Sequence, residues 1–447
     1  MQLDMTTGSP GKSILRFAAP ILAGNLFMQL YYLTDSVIVG QTLGENALAG
    51  VGSTSTLTFL LFGLVSGMTA GFTIHTAQRC GAEDAPGIRR SAASAITLAA
   101  CITLVLTVLG AVGMRPLLRL MQTPEELFQS AYDYIFIIYA ALPAQVAYQM
   151  LSSLLRALGD SKMPLVFLVL SAALNIILDF VFICLLHTGT GGAALATVIS
   201  QGISAICCAF YIIKKVPRLH FQPGDFRPNL PFMGAQMRIG IPMALQYSIT
   251  AIGTTLVQVS LNMLKTPLYI AAFTAASKIE GIVGLVHFSL GTSMATYTAQ
   301  NTGARKPERI SQGLRSMTIF SMVYTVISGI PLILWGKYMT PMFVPEASDG
   351  LVTAVGLYLT CSAIFTPSLV IVNLYRNGLQ GIGYSFLPML AGIFELAGRG
   401  ICSAVSMARG SYLLVCLSSP VAWTFGAALL LSVYFYAKKK NFQKLTV

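Results

Sequence analysis

The sequence predicts an all-α polytopic membrane protein, with twelve transmembrane helices in two six-helix lobes related by a parallel internal repeat. Three observations carry that prediction. Of 447 residues, 55% are hydrophobic and only 10% charged, with a mean hydropathy of +0.72; a soluble chain of this length needs far more polar surface to cover its core. Apolar stretches near the roughly 20 residues that a helix needs to cross a bilayer recur along the chain. The second half also repeats the first, position by position.

Taken in order, spans are placed near 14–40, 47–74, 91–114, 130–155, 163–186 and 192–213, then near 239–264, 268–298, 312–336, 350–375, 385–407 and 411–437. The polar start MQLDMTTGSPGKS lacks the apolar region and small-residue cleavage site of a signal peptide. Between the two sets lies KKVPRLHFQPGDFRPNLPFMGAQMR, rich in Pro and basic residues, which reads as a linker. The expected organisation is therefore an N-terminal lobe over 1–213, a cytoplasmic linker over 214–238 and a C-terminal lobe over 239–447.

Net charge +12 suggests nucleic acid only until the bases are placed. Counted by loop, 21 of the 28 Lys and Arg residues fall on one side of these spans, Arg376 among them, and five on the other; Lys278 and Arg399 lie inside spans. Such alternation is the positive-inside signal, so both termini are expected in the cytoplasm and the basic excess reports topology. Seven of the eight cysteines sit in apolar helices, with Cys80 assigned to a loop, and no CxxC pair exists. Neither a disulfide framework nor a zinc site is expected, and no cofactor is implied.

The repeat has an offset of 222. It brings Arg16 onto Arg238, Pro20 onto Pro242, and Thr76-Ala77-Gln78 onto Thr298-Ala299-Gln300. Later the offset drifts to 224, where GDSKMP (159–164) meets GYSFLP (383–388) as a shared G-x-S-x-x-P. Six spans per copy is an even number, so the copies share one orientation, as in parallel-repeat transporters. Two such bundles can expose a cleft alternately to either side of a membrane.

The intramembrane acids are Asp35 and Asp179 in the first half and Glu280 and Glu395 in the second. Each is costly in a bilayer, by about 2.5–3.5 kcal/mol on insertion scales, so each needs a reason. Asn175 and Asp179, four apart in LNIILDFVF, share a helix face. Thr197 in the next span can reach the same level if the helices pair antiparallel. Asp35, Asn175, Asp179 and Thr197 thus supply oxygen ligands suited to a monovalent cation, held by Asp35 and Asp179, or to a shared proton. The repeat sets Val257 opposite Asp35 and Ser403 opposite Asp179, so the pair belongs to the first half alone. Glu395 and Arg399, spaced i, i+4, are expected to neutralise each other. Gln29, Tyr32, Tyr139, Tyr148, Gln246 and Glu280 are candidates to line a substrate cavity.

DSVIVGQTLGENALAGVG (35–52), the TAQ and GA loops, LNIILDFVF and QGIGYSFLP resemble the multidrug and toxic compound extrusion (MATE) family, and the likeness covers essentially the whole chain. The resemblance implies a bacterial cytoplasmic-membrane pump, not an enzyme. It would work as a single copy by alternating access, exchanging small organic cations or amphipathic drugs for inward-moving Na+ or H+. In the DinF-like and MepA-like branch the resemblance places the cation site on Asp35, Asn175, Asp179 and Thr197. In the NorM-like branch acids stand on spans seven and ten; here span seven has Thr250 near that place and span ten has none. Two other functions are weighed. A lipid-linked precursor flippase of the same superfamily would need cationic cavity residues, for which Lys278 is the main candidate. An intramembrane aspartyl protease could use Asp35 and Asp179 as a dyad, but the GxGD pattern that such enzymes resemble is missing around Asp179.

Overall fold

Fourteen α-helices account for nearly all of the computed structural model, which describes residues 3–121, 123–344, 346–440 and 442, and those residues contain no strand. In chain order the helices are α1 (Pro10–Leu43), α2 (Glu45–Ser53), α3 (Ser55–Gly81), α4 (Ala85–Leu120), α5 (Glu125–Ala140), α6 (Leu142–Ala157) and α7 (Lys162–Asp179). They continue as α8 (Gly189–Lys215), α9 (Leu230–Met263), α10 (Pro267–Gly303), α11 (Pro307–Trp335), α12 (Asp349–Ile382), α13 (Phe386–Arg409) and α14 (Tyr412–Lys439). Ten are long and apolar enough to cross a bilayer, and an eleventh span results when α5 and α6, bent by 51° at their junction, count as one. The remaining predicted span, the seventh, corresponds to α9, which has the length (34 residues) but is less apolar, because Gln246, Tyr247, Ser248 and Thr250 stand in its middle. Large apolar side chains face outward on these helices, Val112 at 78% and Ile206 at 71% exposure among them. A surface so apolar needs lipid against it.

Several boundaries differ from the sequence reading. The second predicted span is interrupted at Thr54, between α2 and α3. The fourth breaks at Ala141, where Pro143 occupies the first turn of α6. Pro367, its partner in the repeat, sits inside an unbroken α12. The linker is shorter than predicted, since α8 runs to Lys215 and α9 starts at Leu230. Cys80 belongs to α3 and is buried, and all eight cysteines are free.

The repeated G-x-S-x-x-P is a corner between helices. Gly159 (φ 86°) and Gly383 (φ 101°) take the left-handed conformation that glycine tolerates, just after α6 and α12. Ser161 and Ser385 stand at the N-caps of α7 and α13, with Pro164 and Pro388 in the first turn. At the first corner Asp160 Oδ1 accepts the N–H groups of Lys162 and Met163, both at 3.1 Å, which satisfies otherwise orphaned donors.

The chain divides into two compact units. One comprises Leu3 and Ala19–Ala244; the other comprises Asp4–Ala18 and the chain from Leu245 onward, so the divisions fall inside α1 and α9. In the first unit α8 packs on α5, α6 and α7, and α3 packs on α4 and α6. Its core includes Phe72, Ile138, Leu142, Leu154 and Leu155. In the second, α12 packs on α10, α11 and α14, and α13 on α14, with Leu261, Ala276, Val355 and Leu359 at the centre.

Candidate functional site

The four predicted ligands come together in the first unit. α7 presents Asn175 and Asp179, 1% and 0% exposed, from one face. Flanking α8 contributes Thr197. α1 brings the half-buried Asp35 within hydrogen-bonding reach of Asp179. With its amide oriented so that both ends find partners, Asn175 donates to Asp179 Oδ2 at 2.9 Å and accepts from the Thr197 N–H at 3.1 Å. Tyr31, one turn before Asp35 on α1, places its hydroxyl 3.1 Å from Thr197 Oγ1. Immediately after Asp179 the helix widens into a π-turn over Phe180–Leu185; such turns recur at functional sites because they shift side chains out of the regular register.

The electrostatics are unbalanced. Asp35 Oδ1 and Asp179 Oδ1 are both buried and accept no hydrogen bond. Two adjoining carboxyl groups repel when both are ionised, and each unpaired oxygen has lost its water. One proton, or one monovalent cation among the oxygens of Asp35, Asp179, Asn175 and Thr197, would relieve both costs. No group of three or more His, Cys, Asp or Glu side chains suited to a metal occurs among the described residues.

The cavity candidates separate. Gln29 and Tyr32 are exposed on α1. Tyr148 is instead a core residue at 7% exposure, and its hydroxyl donates to the Pro164 carbonyl at 3.2 Å. Tyr139 packs its ring against Gly110 of α4, where any side chain would collide. Gln246 accepts from Gln380 Nε2 at 2.8 Å. Glu280 is half-buried and accepts from Tyr358 (2.6 Å) and Ser362 (2.5 Å) on α12, while Lys278 lies over the Phe343 ring at 5.9 Å.

One pairing is corrected. Glu395 forms its ion pair with Arg376 and not with Arg399. Arg376, counted in the sequence as a loop base, is carried by the extension of α12 to Ile382 and is 9% exposed. Gly426 of α14 makes room for the Glu395 carboxylate, which any side chain there would displace. Sequence spacing also undervalued Tyr31; its i, i+4 relation to Asp35 was the available signal.

Comparison with known proteins agrees with this organisation. The MatE family model matches residues 20–181 and again 242–405, two copies offset by 222 at their starts and 224 at their ends. A probable multidrug resistance protein, YpnP, of Bacillus subtilis (strain 168) is 27% identical over 394 residues, covering 87% of this chain and 86% of its own. An FAD transporter of Shewanella oneidensis is 26% identical over 410 residues, covering 87% and 88%. A solved outward-facing multidrug resistance MATE family transporter of the MOP superfamily shares the fold at a TM-score of 0.90, with 20% identity over 100% of this chain and 99% of its own.

Proposed function

Because the chain belongs to the MatE family, we propose that it is a secondary-active exporter of amphipathic and cationic organic compounds, driven by Na+ or H+ moving inward through alternating access. The observation that carries the coupling is the pair of unpartnered carboxylate oxygens on Asp35 and Asp179, joined by Asn175 and Thr197 in one buried cluster. Relatives named as probable multidrug resistance proteins support the class of cargo. Membership of this family also weighs against hydrolytic use of the two aspartates.

The physical cycle follows from the charges. With the cluster empty of cations, Asp35 and Asp179 repel, and the arrangement that holds them together is disfavoured. Binding of a proton between the carboxyl groups, or of Na+ among the oxygens of Asp35, Asp179, Asn175 and Thr197, removes the repulsion and holds α1 against α7 and α8. The bound ion thus shifts the equilibrium between conformations by the difference in its affinity for each. We place the chain in the bacterial cytoplasmic membrane with both termini inside, on the asymmetry of its basic loops.

The test is export of ethidium by proteoliposomes under separate sodium and proton gradients. Asp35→Asn is expected to abolish gradient-driven export while membrane abundance stays at the wild-type level. Wild-type export by that variant would remove the coupling role.

A further inference from the structure

The second unit contains a counterpart of the acidic cluster with inverted polarity. The two helices that carry it correspond residue for residue: Lys162–Leu185 and Phe386–Arg409 start and end 224 positions apart. At that offset Asn175 corresponds to Arg399 and Asp179 to Ser403, and at 222 Tyr31 corresponds to Gly253 and Asp35 to Val257. Where the first unit gathers two carboxyl groups, the second sets a guanidinium and a hydroxyl.

Neither of these donors is used. Arg399 is 5% exposed, forms no ion pair or hydrogen bond among the described residues, and its Nε is buried without a partner. Ser403, one turn further on the same face, is 2% exposed with its Oγ equally unpartnered. The two intramembrane acids of this unit do not pair with Arg399: Glu395 is held by Arg376 and reaches Arg399 only through its field, so two guanidiniums face one carboxylate, and Glu280 accepts from Tyr358 and Ser362. The guanidinium lies along α9 at Gly253, where a Cβ would come within 2.8 Å of Nη1. The absent side chain therefore leaves space for the charge. A guanidinium buried to this degree, with no hydrogen bond and its Nε sealed from solvent, costs far more than an apolar residue of the same volume, so its retention calls for a partner of opposite charge.

We propose that Arg399 and Ser403 form an anion-recognition site in the second unit, taking a carboxylate or phosphate group. This extends the cargo beyond cations to organic anions and zwitterions, and it rests on the exporter reading only for how the bound solute leaves. The anion forms charge-assisted hydrogen bonds to the fork of Arg399, and the Ser403 hydroxyl donates to a second oxygen. Glu395 and Arg376 one turn away remain a closed pair and hold the helix face in place.

Binding to the purified full chain in nanodiscs decides it, with FAD, fluorescein and inorganic pyrophosphate as anionic probes and ethidium as the cationic control. Wild type is expected to bind at least one anionic probe saturably. Arg399→Gln should weaken that binding by about tenfold or more, Arg399→Lys should restore part of it, and Ser403→Ala should cause a smaller loss. Ethidium binding should be unchanged throughout. Displacement of FAD by inorganic pyrophosphate at comparable affinity assigns the site to a free anion, and failure to displace assigns it to the organic solute. The proposal is overturned if wild type binds none of the three anions. It also falls if Arg399→Gln, or Ser403→Ala where Arg399→Gln does not fold, binds them like wild type. Ethidium export under ion gradients reports on the exporter reading separately, so the two can fail independently.

Discussion

Replacing Asp179 by Asn removes one charge from the cluster and keeps its shape. Asp35 and Asp179 lie within hydrogen-bonding reach, and two unit charges about 4 Å apart repel by about 4 kcal/mol at an effective dielectric of about 20. A bound cation gains that energy by relieving the repulsion, so the variant should lose affinity for the coupling ion by roughly a thousandfold. The 2.9 Å hydrogen bond from Asn175 can persist to the new amide oxygen. The fold should therefore not suffer, and the apparent melting temperature should hold or rise as a buried repulsion disappears. The assay is substrate release from proteoliposomes titrated with Na+ and with acid, alongside thermal unfolding of the same preparation. An unaltered ion titration would refute the coupling argument. A clear fall in melting temperature would refute the claim that the pair is repulsive at rest.

Three further outcomes are expected. Arg376→Gln leaves Glu395, 3% exposed, without its ion partner and should destabilise by about 3–5 kcal/mol; Glu395→Gln added to it should recover much of the loss, and a double-mutant cycle by thermal unfolding checks the pairing. Gly67→Val places a side chain against the Met243 backbone of α9, where even a Cβ would come within 2.6 Å, so a cost of about 1–3 kcal/mol or more should appear as reduced monodisperse yield and a lower melting temperature. Near the N-terminus, partial burial raises the Asp4 carboxyl, but the Thr6 N–H, the Thr6 and Thr7 hydroxyls and nearby Lys306 outweigh it and hold Asp4 below its ordinary value. A depressed acid stabilises the fold above its unfolded value of about 3.8 and loses that contribution as pH falls through the folded one. The docking of this segment should accordingly loosen in acid. The Met5 amide, donated to Gln300 Oε1 at 3.3 Å, should lose protection from hydrogen exchange relative to pH 7 only below about pH 4, once the intrinsic pH dependence of exchange is corrected for; equal protection at pH 3 would contradict this.

Much of the candidate site was legible in the sequence because it depends on short-range geometry. Asn175 and Asp179 share a face by helical period alone, and a bare acid such as Asp35 in an apolar run stands out against the cost of burying it. The approach of α1 to α7 and α8, and the hydroxyl of Tyr31 beside Thr197, depend on packing between helices over 100 residues apart and carry no local signature. The cavity candidates fared differently for the same reason. Tyr139 and Tyr148 are amphipathic enough to line a pore, yet neighbouring helices enclosed them: Gly110 accepts one ring and the Pro164 carbonyl takes the other hydroxyl.

The sequence by itself determined the helical membrane class, the duplication and the positions of costly charges, since hydropathy, period and offset are properties of the chain read along its length. Only the tertiary structure decided which charges meet. Spacing of i, i+4 pointed from Glu395 to Arg399, but α12 continues far enough to bring Arg376 to Glu395, and Gly426 of α14 leaves the carboxylate the room to turn toward it. A buried charge takes the partner that packing places within reach, and that choice is made between helices rather than along one.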